Sequence, residues 1–188
     1  MQWRSVSRWV LVFAIPLALL VLLGLVALTT NLGVRAFGIQ PYTIPSEAMV
    51  PTLQPGDRFF VDTLAYAKQA PQRGDVVTFV RDITGETIWA KRVIAIGGDI
   101  IEGSGDEVKL NGHVLHESYV APINASEPVP DHFGPVTVPA GNFFVMGDNR
   151  RNSNDSRYFG YVDARHIRGK VTYIYWSKDQ SRIWQPVK

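Results

Sequence analysis

The hydrophobic pattern divides the chain into two unlike parts. Residues 9–28 form a run of twenty without a charged side chain, and the uncharged stretch continues to Val34. As a helix rising about 1.5 Å per residue, such a run spans roughly the 30 Å hydrocarbon core of a bilayer. After Arg35 the apolar residues fall instead in short runs bounded by Gly, Pro or Asp. The pattern predicts one long apolar helix followed by a domain of strands.

We interpret the apolar run as a transmembrane anchor. The alternatives are a buried soluble helix and a cleaved signal peptide, whose apolar region is usually only about 7 to 15 residues. Arg4 and Arg8 precede the run and only Arg35 follows it closely, so the positive-inside bias predicts a cytoplasmic amino terminus and an exported remainder. We expect residues 1–35 to form the cytoplasmic terminus and single anchor, and residues 36–188 the exported domain.

Beyond the anchor, the residue pattern predicts a mainly-β domain. Runs rich in β-branched and aromatic residues predict strands at 58–62, 75–80, 88–96, 142–146 and 170–176. Asn111-Gly112 predicts a hairpin between 108–110 and 113–115, because both turn positions favour a positive φ. Five prolines between Tyr119 and Gly141 predict an extended surface connection.

Composition and charge narrow the classes of function. At 188 residues and 46% hydrophobic composition, the chain can supply one anchor and one domain, and it has no cysteine. The formal charge of +2 comes from the three arginines that flank the apolar run, so no basic patch for nucleic acid is expected. The histidines lack metal-ligand or triad spacing, and we expect neither a metal nor a cofactor. They are His113, His116, His132 and His166.

Three stretches carry the candidate chemistry. They are IPSEAMVPTL at 44–53, KRVI at 91–94 followed by Gly98-Asp99, and VMGDNR at 145–150 continuing to Gly160. In this order, behind an amino-terminal anchor, they resemble the type I signal peptidases over most of the region from Pro41 to Val162. Three local departures are Ala95, Gly97 and Arg151. The resemblance implies a mainly-β catalytic domain on the exported face of the bacterial inner (cytoplasmic) membrane. It also implies a serine endopeptidase that removes signal peptides from preproteins after small residues.

The resemblance implies a serine–lysine dyad with Lys91 as the general base and position 48 as that of the nucleophile. Position 48 is Ala in this chain. A lysine acts as a base near neutral pH only if its pKa falls far below about 10.4, and burial among apolar groups lowers it. Lys91 lies in an almost wholly apolar run at 88–94. The alternative is an edge-strand lysine whose amine reaches water.

Further site residues are implied by the same resemblance. The Ser46 hydroxyl and the backbone N–H of residue 48 are expected to donate hydrogen bonds to the oxyanion. A serine after a proline is also common in turns. Ser153 is expected to orient the lysine amine. The implied structural charge pairs are Arg92 with Asp148 and Asp155 with Arg157.

The expected substrate is the signal peptide of an exported preprotein, with membrane lipid as the other partner. An extended peptide would add as a strand between two segments, with backbone hydrogen bonds for affinity and side-chain pockets for specificity. The residues expected to contact it are Ile44, Pro45, Trp89 and Ala90, with Met49 and Leu53 lining shallow pockets.

Ala48 implies that the chain as written is inactive. One explanation is an engineered replacement of serine; the other is a natural non-catalytic, membrane-anchored homologue that binds peptides. Retention of Lys91, Ser46 and Ser153 favours the first, because a degenerate homologue is expected to lose them. A self-cleaving repressor of the Ser–Lys type is a third hypothesis, and the apolar run argues against it.

Overall fold

The computed structural model describes residues 15–36, 38–81, 87–120 and 132–188. The chain divides into two units, Met1–Ile39 and Gln40–Lys188. In the first unit, helix α1 comprises Ile15–Ala36. Within the described ranges, no helix has the length and apolar character that a membrane span requires. Residues 9–14 of the predicted anchor lie outside those ranges, so the anchor stays a prediction.

The remaining elements in the part of the chain that is described are eleven strands, one short α-helix and two single-turn 3₁₀ helices, Ala164–His166 and Gln180–Arg182. The strands are β1 (Ile39–Thr43), β2 (Arg58–Asp62), β3 (Val76–Val80), β4 (Ile88–Ile96), β5 (Ile100–Ser104), β6 (Glu107–Leu110), β7 (His113–Val114), β8 (His132–Thr137), β9 (Asn142–Met146), β10 (Val162–Asp163) and β11 (Ile167–Trp176). Helix α2 comprises Ser156–Phe159. The predicted mainly-β domain is confirmed.

The larger sheet has seven strands in the order β1-β2-β11-β3-β4-β9-β10. All five residues of β3 are buried, so this strand lies at the centre with core on both faces. Val76 packs with Phe59, while Val77 packs with Val93 in a second cluster. These neighbouring residues serve different clusters because successive side chains of a strand point to opposite faces. The strand β4, with Lys91, therefore lies next to the most buried strand of the domain.

The smaller sheet has four strands in the order β7-β6-β5-β8. The hairpin predicted at Asn111-Gly112 is confirmed: Asn111 has φ 51° and Gly112 has φ 81°. The extended connection predicted for 119–141 is wrong for its described carboxyl-terminal part, because 132–137 forms strand β8, paired with β5. Pro135 is accommodated there because the register of this pair shifts, and an irregular register tolerates a residue without an N–H donor.

Candidate active site

A cleft of about 360 Å³ lies in the second unit and is the candidate active site. One wall is formed by residues 42–48 and the other by residues 87–91, and the side chains of Asn152 and Asn154 also line it. Ser46, Ala48 and Lys91 all line this cleft. The structure therefore brings three residues predicted for the reaction to one surface.

Backbone hydrogen bonds and buried side chains hold the wall that carries Ala48 to the rest of the domain. The Ile44 N–H donates to the Asp57 carbonyl over 3.1 Å, and the Gly56 N–H donates to the Ile44 carbonyl over 2.8 Å. Met49 and Leu53 are fully buried in the core and are not among the residues that line the cleft. Their predicted contact with substrate is thus corrected: they hold the segment to the core, because a large apolar side chain is most stable away from water.

The loop after β9 packs directly against Ala48. The Asn149 N–H donates to the Ala48 carbonyl over 3.1 Å. Gly147 lies so close that a Cβ atom there would overlap the Ala48 carbonyl oxygen and the Ser153 hydroxyl. Only glycine permits this approach, because any side chain would force the loop away from residue 48.

Ser153 is the buried hydroxyl of this loop. Its Oγ has no hydrogen-bond partner among the residues that the structure describes. An unsatisfied buried hydroxyl costs about 1–3 kcal/mol. Such a group calls for an explanation in terms of function or of a bound molecule.

Lys91 is buried, with only 3% of its surface exposed. Its Nζ lies 5.6 Å from the centre of the Trp89 ring. Burial lowers the pKa of Lys91 to about 8, because the charged ammonium loses its hydration. Asp155 and Asp148 act in the opposite direction by favouring the charged form, and their effect is the smaller one. A neutral amine, able to accept a proton, is therefore available at mildly alkaline pH.

The strand β4 is paired unequally on its two sides. It pairs with β3 from Ile88 to Arg92, whereas its pairing with β9 begins only at Arg92. The Val93 N–H donates to the Asp75 carbonyl on the β3 side. The backbone N–H and C=O groups of successive residues point alternately to the two edges of a strand. The backbone groups of Ile88 and Ala90 therefore point to the edge opposite β3, where no described strand pairs with them. That open edge faces the cleft, which Ile88 and Ala90 both line.

Arg92 and Asp148 form a buried bidentate ion pair, with side chains 1% and 0% exposed. The Arg92 Nε and Nη2 atoms donate to the two carboxylate oxygens over 2.8 and 2.6 Å. The Thr52 hydroxyl donates to the same carboxylate, and the Gly74 carbonyl accepts from Arg92 Nη1 over 2.8 Å. This cluster joins the loop after β9 to β4 and to the segment that follows Ala48.

Asp155 and Arg157 form the second expected pair, with Nε to carboxylate at 2.8 Å. The other Asp155 oxygen accepts from the Gly147 N–H over 3.0 Å. Asp155 also caps the amino terminus of α2 by accepting from the Arg157 N–H. The pair therefore fixes the backbone at Gly147, where the loop approaches Ala48.

Sequence reasoning gave no role to four residues that support this loop, its ion pair with β4, or the segment after Ala48. Glu117 binds Arg150 through both carboxylate oxygens, and Arg150 Nε donates to the Gly147 carbonyl over 3.1 Å. Tyr119 places its ring 3.9 Å from the Arg92 guanidinium carbon. Arg182 donates to the carbonyls of Pro51 and Thr52. Arg150 belongs to the motif at 145–150 but was given no role, and no local pattern marks Glu117, Tyr119 or Arg182, because their partners are distant in sequence.

Known proteins match this chain over most of its length. The family model described as "Signal peptidase, peptidase S26" matches residues 11–176. Signal peptidase I of Leptolyngbya laminosa is 37% identical over 77% of this chain and 72% of its own length. Signal peptidase I S of Bacillus subtilis is 33% identical over 95% and 94%, respectively. A crystal structure of a signal peptidase I from Enterococcus faecalis V583 is 34% identical, covers 55% of this chain and 98% of that one, and gives a TM-score of 0.46.

These relatives define a class of protein, the peptidases. The family match covers well over half of the chain, and the relatives cover it with more than 30% identity. The chain therefore belongs to the signal peptidase family, peptidase S26. The predicted resemblance is confirmed.

Proposed function

We propose that this chain is a membrane-anchored signal peptidase of the Ser–Lys type that binds signal peptides and, with Ala48 in place of the nucleophile, does not cut them. The observation that carries the proposal is the burial of Lys91 beside a cleft that Ala48 also lines. A buried lysine without an ion-pair partner among the described residues is costly to the fold, and a catalytic base explains it.

With serine at position 48, the reaction would proceed in two steps. The neutral Lys91 amine would accept the hydroxyl proton while Oγ attacks the scissile carbonyl, and the oxyanion would accept hydrogen bonds from the Ser46 hydroxyl and the N–H of residue 48. The ammonium would then return the proton to the leaving amine, and water would hydrolyse the acyl-enzyme with the same base. The unpartnered hydroxyl of Ser153 supports its proposed contact with the amine, because a lone pair is available there.

The substrate would bind as an added strand on the open edge of β4. The backbone groups of Ile88 and Ala90 would pair with it, and Ile44 and Pro45 would hold its other side. Ala90 lines the cleft, and its small side chain supports selection of small substrate residues. We expect cleavage after an Ala-x-Ala sequence.

The anchor and its orientation belong to the same proposal. The uncharged run at 9–28 and the arginines before it support a single pass with the domain on the exported face. Protease added to intact spheroplasts should digest the domain beyond Arg35. Full protection of the domain would reverse the proposed orientation.

The experiment that tests the proposed activity is the Ala48→Ser variant. In detergent, with a precursor that carries an Ala-x-Ala site, we expect the mature product to appear with the variant and not with the unchanged chain. The matched control is a precursor in which both alanines are replaced by bulky residues. An intact Ala-x-Ala precursor, with folding of the variant verified by circular dichroism, would contradict the proposal.

A natural peptide-binding homologue is the second candidate, and Ala48 itself is the observation that favours it. The two candidates differ in the residue that the source gene encodes at position 48. Serine there means that Ala48 was introduced into an active enzyme, whereas alanine means that the natural protein binds without cutting.

A further inference from the structure

The cleft is nearly free of charged side chains. Its charged lining residues, in the part of the chain that the structure describes, are Glu47 and Lys91. Lys91 is buried and its surroundings favour the uncharged amine, as its lowered pKa of about 8 indicates. Glu47 is exposed to solvent at the cleft surface. Above pH 8, where Lys91 is mostly uncharged, the Glu47 carboxylate is therefore the main formal charge among the residues that line the cleft.

Glu47 also lies next to the reacting position. It directly precedes Ala48, and Asn152 Nδ2 donates to its Oε2 over 3.2 Å. Asn152 itself lines the cleft and belongs to the loop that contacts the Ala48 carbonyl through Asn149. This hydrogen bond holds the carboxylate beside residue 48 and narrows the range of positions that the flexible side chain can take.

We propose that Glu47 determines a charge preference of the substrate, so that peptides with a basic residue close to the cleavage point bind better than peptides with an acidic one. The inference rests on the proposed function, since it assumes that a peptide lies in this cleft. A carboxylate a few ångströms from a bound charge attracts lysine and repels glutamate, and the partly enclosed cleft screens this interaction less than bulk water does.

The unchanged chain suits the test because peptide binding can be measured without turnover. Fluorescently labelled peptides would share an Ala-x-Ala core and carry Lys, Gln or Glu at one position, moved in turn through the three residues on each side of the cleavage point. We expect a position at which the Lys peptide binds about three- to tenfold more tightly than the Glu peptide at low salt, with Gln between them. The preference should decrease as salt is added.

Two variants identify the residue responsible. Glu47→Gln keeps the shape and an oxygen acceptor for Asn152 while removing the charge, and we expect it to abolish the preference without preventing binding of the Gln peptide. Glu107→Gln makes the same change in net charge at an exposed residue of the smaller sheet, outside the cleft lining, and should leave the preference intact.

The outcomes separate this inference from the proposed function. Binding with equal affinity for Lys and Glu peptides at every position would overturn the inference alone, as would a preference that persists in Glu47→Gln. Failure of every peptide to bind would contradict the proposed function as well.

Discussion

Two neighbouring residues of β4, Lys91 and Arg92, carry buried basic side chains in opposite environments. Arg92 is held by both oxygens of Asp148, by the Gly74 carbonyl and by the Tyr119 ring. Lys91, one residue earlier, has burial without an ion-pair partner among the described residues. Pairing stabilises a buried charge, whereas burial alone drives the group towards its neutral form. Arg92 thus stabilises the fold as a cation, whereas the Lys91 amine is available for chemistry.

The position of each residue on the strand explains the difference. Successive side chains of β4 point to opposite faces of the sheet. In addition, Arg92 is the residue at which pairing with β9 begins, and β9 leads directly into Asp148. Lys91 lies just before that point, where β4 has an open edge at the cleft. The loop after β9 therefore supplies a directly bonded carboxylate to Arg92, whereas its carboxylates act on Lys91 only at longer range.

The largest expected effect is on turnover. In the Ala48→Ser background, Lys91→Met should lower single-turnover cleavage by about 10²–10⁴-fold, because methionine keeps the apolar stem and removes the base. With Lys91 present, the rate should rise with pH around its lowered pKa of about 8, since the protonated amine cannot accept the serine proton.

Lys170→Met is the matched control for that loss. Lys170, a residue of β11, forms an ion pair with Asp75 and is not among the cleft residues, so its replacement should leave cleavage nearly unchanged. Retained activity in Lys91→Met would mean that Lys91 is a structural residue like Arg92.

The next largest effect concerns the paired cation. Asp148→Asn should lower the free energy of unfolding by about 3–5 kcal/mol, because it leaves the Arg92 guanidinium buried without a countercharge. Urea denaturation of the unchanged and variant chains in the same detergent measures the difference. A loss below about 1 kcal/mol would show that Tyr119 and Gly74 suffice to hold Arg92.

Lys91→Met should change stability in the opposite direction. The folded state lowers the pKa of Lys91 from 10.5 to about 8, so the unfolded chain binds more protons between these pH values and stability rises with pH across them. Removing the amine should therefore stabilise the protein by about 1–3 kcal/mol below pH 8. The gain should disappear above pH 10.5, where the amine is neutral in both states. Thermal unfolding from pH 7 to 11 tests this, and a gain independent of pH would refute the cause.

The smallest effect is expected for an exposed pair of similar geometry. Arg165 donates to both oxygens of Asp163 over 3.0 and 2.8 Å, but its side chain is 83% exposed. Water already solvates both charges, so Arg165→Met should leave the melting temperature within experimental error. A marked decrease in melting temperature would mean that the bidentate geometry, and not burial, determines how much such pairs stabilise the fold.

Local sequence determined the family and most strands of the larger sheet, but not β1, β5, β8 or β10. The strands predicted at 58–62, 88–96 and 142–146 match β2, β4 and β9, because apolar β-branched and aromatic residues between turn formers leave few local alternatives. The Asn111-Gly112 hairpin was predictable because its turn depends on two adjacent residues. The motif at 44–53 and the two that follow identified the signal peptidase family without any structure.

The family resemblance predicted the pairs Arg92–Asp148 and Asp155–Arg157, but only the tertiary structure shows the physical reason for them. Lys91 and Arg92 are adjacent basic residues in one apolar run and both are buried. Apart from the resemblance, nothing in the local pattern distinguishes the one that binds Asp148 from the one that has no ion-pair partner among the described residues. Met49 was predicted to line the cleft and is fully buried. Whether an apolar side chain of this segment faces the cleft or the core depends on which elements pack against the segment. Likewise, Glu117 reaches Arg150 across 33 residues of chain. Such contacts are set by which strands pair and where they end, and that is a property of the whole sheet, not of any one stretch of sequence.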